Sequence, residues 1–199
     1  IWIVLFWKFK KSPKEFNLIE LGSGNGEMAY QILKTIERFP EFKKSVNFYI
    51  YERSELLIKI QKNKLKNFKV KWIKNFKKIK DTNNIFFGNE FMDAFAIKQF
   101  EKIKNNWFEK YVLEEGSKRK KVNIKKNIVE INKFFGFDVS INEKFIEAPI
   151  DLIILLKEIS SLLKKTGGGL LLFDYGYTNN KMFNSIQSVK NNKKSNFLK

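Results

Sequence analysis

Short apolar runs alternate with amphipathic ones along most of the chain. Asn17 to Leu21, Val46 to Tyr51, Phe68 to Ile73, Asn84 to Gly88 and Leu170 to Asp174 read as strands. Between them, Glu27 to Phe39 carries Met28, Ala29, Ile32, Leu33 and Ile36 on one helical face, with Pro40 ending the helix. Ser54 stands where an N-cap belongs, opening a helix to about Lys66 with Leu57 and Ile60 inward and Leu65 less regularly placed. Pro149 starts a further helix with Leu152, Leu155, Leu156, Ile159 and Leu163 on one stripe, terminated by Gly167 to Gly169. Strand and helix in alternation predict an α/β fold, a doubly wound and mostly parallel sheet with helices on both faces.

The rhythm breaks at about 97 to 148, which reads as an insertion into a single domain spanning 1 to 199. Ile97 to Lys104 and Trp107 to Leu113 form a hairpin joined at Asn105-Asn106, and the lysine-rich stretch after Glu114 reads as loop or ragged strand. The apolar opening IWIVLFW is interrupted by Lys8, too early to span a bilayer, and is expected to be the end of a buried helix. The chain starts at Ile1 and stops soon after the last predicted strand, so we expect a domain incomplete at both ends and lacking its terminal strands.

Composition narrows the chemistry. With neither Cys nor His, the chain has no thiolate nucleophile, imidazole base or Cys/His metal site. Reactivity falls to carboxylates, hydroxyls, Lys, Arg, backbone groups or a bound cofactor. The formal charge of +18 comes from 39 basic residues, of which only Arg38, Arg53 and Arg119 are arginine. The lysines are scattered among Asn, Ile and Phe, the bias of an AT-rich coding sequence, whereas a phosphate-binding face favours clustered arginine. The charge reads as a solvated surface, and nucleic acid is not the expected partner.

The most specific local signal is Phe16 to Glu27, FNLIELGSGNGE, an apolar strand entering three glycines at alternate positions and then a helix. Gly22, Gly24 and Gly26 permit a sharp turn and close backbone approach to a ligand. A dinucleotide fingerprint would place glycine at 27, where Glu27 stands, and no Gly-Lys-Ser/Thr follows for a P-loop. The spacing E-x-G-x-G-x-G, beginning at Glu20, resembles the first motif of S-adenosylmethionine-dependent methyltransferases. That ligand carries a sulfonium and an ammonium that carboxylates attract. Further acids stand at the carboxyl ends of the other predicted strands: Glu52, positioned to accept ribose hydroxyls, then Glu90 with Asp93, and Asp174.

Two strings carry a closer resemblance. NEFMDAFAIKQF, Asn89 to Phe100, and LLLFDYGY, Leu170 to Tyr177, are similar to segments of the MidA-type methyltransferases, the family of the mitochondrial complex I assembly factor that methylates arginine. ERSELLIKIQ at 52 to 61 and NSIQSVK at 184 to 190 extend the likeness over about Phe16 to Asn192. The chain departs from the family pattern at Ser23, Asn25 and Ala96, changes that keep the glycines and acids. The resemblance implies a Rossmann-like fold, S-adenosyl-L-methionine as cofactor bound by Glu20, Gly22, Gly24, Gly26 and Glu52, and a protein arginine side chain as substrate. Glu90 and Asp93 would grip the guanidinium on one face of a helical turn beginning at Glu90, with Asn89 orienting substrate or cofactor. No metal is implied. The compartment would be the cytoplasm of a bacterium or the mitochondrial matrix of a eukaryote. Two other readings stand beside it: an RNA methyltransferase, and a non-catalytic assembly factor that keeps the fold.

Overall fold

The computed structural model describes residues 1–116, 118–139, 143–176, 184–186, 188–191 and 193–195. In chain order the elements are α1 (Trp2–Phe9), β1 (Phe16–Leu21), α2 (Glu27–Ile36), α3 (Pro40–Ser45), β2 (Val46–Tyr51), α4 (Glu55–Lys64), β3 (Val70–Ile73), β4 (Asn84–Asn89), β5 (Lys98–Ile103), β6 (Asn106–Glu115), β7 (Lys118–Lys126), α5 (Ile128–Phe135), β8 (Phe145–Ala148), α6 (Ile150–Thr166), β9 (Gly168–Phe173), β10 (Ser188–Lys190) and β11 (Lys193–Ser195). They fall into two compact units, 1–94 with 157–175, and 95–156 with 176–199.

In the first unit five parallel strands lie in the order β3-β2-β1-β4-β9. β1 is central and buried along its whole length, paired with β2 from Phe16 opposite Val46 to Leu21 opposite Tyr51, and with β4 from Asn17 opposite Asn84. The chain steps outward from β1 to β2 and β3, then returns to β4 on the other side. α2 packs on one face of this sheet through Ala29, Leu33 and Ile36, together with Leu65 at the end of α4. On one face Phe16, Leu18, Phe48 and Ile50 pack with Val4, Trp7, Ala29, Leu33, Ile36 and Phe42. Phe42 is central there, with ring centroids 5.4 Å from Trp7 and 5.7 Å from Phe16. On the opposite parity Tyr51, Phe76 and Phe86 form an aromatic chain with 5.3 and 5.4 Å spacings.

The amino-terminal end of this sheet is tied by buried polar groups. Asn17 Nδ2 donates to Asn84 Oδ1 and to the Lys80 carbonyl, each at 2.8 Å. Asn84 Nδ2 donates to the Thr82 carbonyl at 2.8 Å and to Thr166 Oγ1 at 2.6 Å. These bonds fix β1, β4 and the end of α6 to one another at the end of the sheet away from the glycine loop.

The second unit contains an antiparallel sheet in the order β7-β6-β5-β8, with α5 packed through Ile131 on Phe100, Trp107, Ile146 and Ala148. β10 and β11 pair antiparallel, Ser188 opposite Ser195.

Several expectations need correction. Pro40 does not only end a helix: α2 stops at Ile36, and Pro40 opens α3 at the position where a missing N–H costs nothing. In α4, Ser54 caps as expected, accepting from the Leu57 N–H at 3.3 Å, but Ile60 is exposed and the inward stripe is Ile58, Gln61 and Leu65. The lysine-rich stretch is a regular strand, β7, paired with β6 along its length from Trp107 opposite Lys126 to Glu115 opposite Lys118. It is an edge strand whose lysines deter further pairing. The hairpin turn is Lys104-Asn105, one residue earlier than read, because Ile103 pairs with Asn106 and Lys104 takes the positive φ of 55°. The opening run is helical with Val4 and Trp7 buried, yet Ile1, Trp2, Leu5 and Phe9 face outward.

Replacing Asn84 with alanine removes one of the two acceptors of the buried Asn17 amide and the donor to Thr166 Oγ1, which keep Lys80 and Leu162 as their other partners. The expected loss is about 2 to 4 kcal/mol, read from chemical or thermal denaturation.

Candidate active site

The strand order reverses between β1 and β4, and the carboxyl ends of the strands at such a switch point are the usual ligand position in open α/β sheets. Glu20 is the next-to-last residue of β1 and shares the inward parity of Phe16 and Leu18, which leaves its side chain 1 % exposed. Burial pushes its carboxyl up to about 7. The nearby Ser23 hydroxyl opposes that rise as the smaller effect, but by geometry neither Ser23 Oγ nor Glu20 Oε2 completes a hydrogen bond among the described residues. A buried acceptor without a donor is costly, and a ligand ammonium is the kind of group that would relieve it.

The glycines have distinct duties. A Cβ on Gly22 would lie 2.6 Å from Phe91 Cδ2, so this residue is glycine because a protein aromatic ring sits on it. Gly24, with φ +53°, has nothing within 4 Å of where a Cβ would stand, so this part of the loop faces open space. Gly26 ends the loop as the left-handed N-cap of α2. Glu27 lies in the first turn of α2, its carboxylate paired with Lys64 and accepting from Gln31 Nε2 at 2.9 Å. Lys64 holds that exposed acid below its ordinary range.

Glu52 follows β2 and is 8 % exposed. Its Oε1 accepts from the Arg53 and Ser54 N–H groups at 2.9 Å each, and its Oε2 accepts from Gln61 Nε2 at 3.1 Å. The carboxylate is thus held in one orientation with about one lone-pair site left for a ligand hydroxyl. Gln61 also donates from Nε2 to the Gly24 carbonyl at 2.9 Å and accepts on Oε1 from Trp72 Nε1 at 2.8 Å. Sequence reading missed Gln61. The available signal was a polar residue at the 58, 61, 65 spacing that faces inward from α4.

At the ends of β4 and β9 stand the remaining acids. Glu90 is exposed, takes a left-handed φ of 50°, and donates its N–H to the Phe173 carbonyl at 2.8 Å. The helical turn begins later, as a 3₁₀ turn at Met92–Ala94, so Glu90 and Asp93 do not share a helical face as expected. Asp174 binds the turn to β9, Oδ2 accepting from the Met92 N–H at 3.1 Å and Oδ1 from the Tyr175 N–H at 3.0 Å. The Tyr175 hydroxyl donates to Asp93, and that bond, with the negative charges of Asp93, Glu90 and Asp174 around it, raises the phenol above its ordinary range. Asn89 is exposed at the end of β4. Tyr177 lies outside the described residues.

An apolar hollow of about 290 Å³ lies where Ile1, Val4, Met28, Ile32 and Phe39 meet. No ionisable side chain lines it. Among the described residues no group of three acids could hold a metal ion, and no helix is long and apolar enough to cross a membrane.

Comparison with known proteins bears on the fold and the family. Two crystal structures of Burkholderia thailandensis proteins share the fold: one at a TM-score of 0.61 and 16% identity, covering 83% of this chain and 44% of the other. The second, bound to S-adenosyl-homocysteine, gives a TM-score of 0.59 at 16% identity, covering 82% and 42%. The mitochondrial protein arginine methyltransferase NDUFAF7 homologue of Caenorhabditis elegans is 27% identical over 206 residues, covering 89% of this chain and 47% of the relative. The human NDUFAF7 protein arginine methyltransferase is 22% identical over 207 residues, covering 91% and 46%. The chain therefore spans a little under half the length of these relatives. The family model described as "Putative S-adenosyl-L-methionine-dependent methyltransferase" matches residues 1–199, and the chain belongs to that family.

Proposed function

We propose that this chain binds S-adenosyl-L-methionine at the Gly22–Gly26 loop and serves methyl transfer to an arginine side chain of a protein substrate. The observation that carries the cofactor assignment is Glu20, a buried carboxylate with an unpartnered oxygen beside an open stretch of glycine backbone. The arginine assignment draws support from the relatives named as protein arginine methyltransferases. The same names include the word mitochondrial, which supports a mitochondrial location in a eukaryote; the resemblance to the MidA-type family extends the proposal to the matrix, to the cytoplasm of a bacterium, and to a role in respiratory complex I assembly.

When bound, the cofactor supplies an electrophilic methyl group on a sulfonium. The protein's task is then alignment and charge. Glu20 holds the ligand ammonium, exchanging an unpaired buried oxygen for a charge-assisted hydrogen bond. Glu52, fixed by three protein N–H donors, offers its remaining acceptor site to a ribose hydroxyl. On the substrate side Glu90 and Asp93 receive the guanidinium, with Asn89 orienting it. Gripping two of its nitrogens concentrates positive charge there and leaves the third free to face the methyl group.

The raised Glu20 value sets a pH dependence. A ligand ammonium favours the ionised acid, so affinity should rise with pH up to about 7 and level off above it. Below that point each pH unit should weaken binding about tenfold, and Glu20→Gln should bind weakly without the slope; isothermal titration calorimetry reads both. An identical pH profile in the variant would remove Glu20 from the ammonium site. Glu52→Ala is expected to cost about 1 to 3 kcal/mol of cofactor affinity, by the same titration. Transfer of labelled methyl groups to protein should fall about a hundredfold or more in Glu90→Gln and Asp93→Asn with cofactor affinity retained. Label appearing in RNA and not in protein would overturn the substrate assignment.

A further inference from the structure

We propose that Gln61 is a positioning residue for the cofactor, a clamp that locks the Gly24 peptide and the Glu52 carboxylate into one rigid unit. The inference rests on the cofactor reading above and adds to it the element that shapes the pocket. Gln61 has no exposed surface, and each atom of its amide is used: Nε2 donates to the Gly24 carbonyl and to Glu52 Oε2, and Oε1 accepts from Trp72 Nε1. Two acceptors on one side and one donor on the other leave only one orientation of the amide that satisfies all three groups.

The consequence at the loop is geometric. In a planar trans peptide the C=O and the following N–H point to opposite sides. With the Gly24 carbonyl turned to Gln61, the Asn25 N–H is turned away from it, to the other side of the loop. The same amide holds the second Glu52 oxygen at the end of β2. One side chain on α4 therefore sets both the donor orientation of the glycine loop and the acceptor orientation of the hydroxyl-binding acid. Trp72, on β3, in turn fixes the amide against flipping.

The test is titration of the full 199-residue chain with S-adenosyl-homocysteine, comparing wild type with Gln61→Leu, Gln61→Glu and Trp72→Phe. Loss of the clamp should weaken binding about tenfold or more in Gln61→Leu and by a smaller factor in Trp72→Phe. Gln61→Glu carries the distinguishing signature. The introduced carboxyl can donate only when protonated, and beside Glu52 its protonation is favoured as the pH falls. The ratio of variant to wild-type dissociation constants should therefore shrink between pH 8 and pH 5.5, a rescue that a general packing defect would not produce. Should Gln61→Leu not fold, as judged by circular dichroism, the Trp72→Phe affinity and the Gln61→Glu ratio decide the matter. Wild-type affinity in folded variants, or a pH-independent ratio, would overturn the clamp while leaving the cofactor reading intact. Absence of binding by wild type would overturn the cofactor reading and the clamp with it.

Discussion

The whole of the first unit depends on a central strand that is covered on every side. β1 pairs with β2 along its length and with β4 along most of it, and every one of its side chains is buried. A strand so placed must be apolar or internally satisfied, and it must end in a turn that lets the chain leave between two neighbours. The polar exceptions stand at its ends. Asn17 at one end finds partners in Asn84 and Lys80 and ties the sheet together. Among the described residues Asn17 Oδ1 and Glu20 Oε2 each lack a partner, but only the Asn17 amide is tied through its Nδ2 group to its neighbours.

This arrangement explains why the glycine loop cannot be understood as a loop alone. Gly22 is shaped by Phe91 from the turn after β4, and Gly24 is tied through Gln61 to Glu52 after β2. Three strand ends thus converge on a stretch of five residues. The close approach of Phe91 to Gly22 also brings the segment that contains Glu90 and Asp93 against the glycine loop.

The large positive charge has little part in this geometry. Its lysines form ion pairs with surface carboxylates, such as Lys43 with Glu37 and Lys165 with Asp81, or line the outward positions of β7. Exposed pairs of this kind contribute about a kilocalorie per mole or less each. The strand ends, by contrast, are acidic: Glu20, Glu52, Glu90, Asp93 and Asp174. The chain is thus basic overall but acidic at the carboxyl ends of its parallel strands.

Much of this was legible in the sequence because it depends on local periodicity. The five parallel strands, the helices between them, the Ser54 cap, the glycine spacing and the rim acids all follow from patterns within about ten residues. What depends on pairing across the fold was not legible. The lysines of β7 look like a loop until β6 offers them a partner, and Pro40 opens a helix only because the preceding helix has already ended. Gln61 looks like an ordinary helix-surface amide until α4 is rotated to bury Ile58 and Leu65. The spacing of glycines and acids by itself determined which backbone could turn and which groups could carry charge. Only the tertiary structure decided which of those charges would be left without a partner, because burial and hydrogen-bond satisfaction are properties of neighbours distant in the chain.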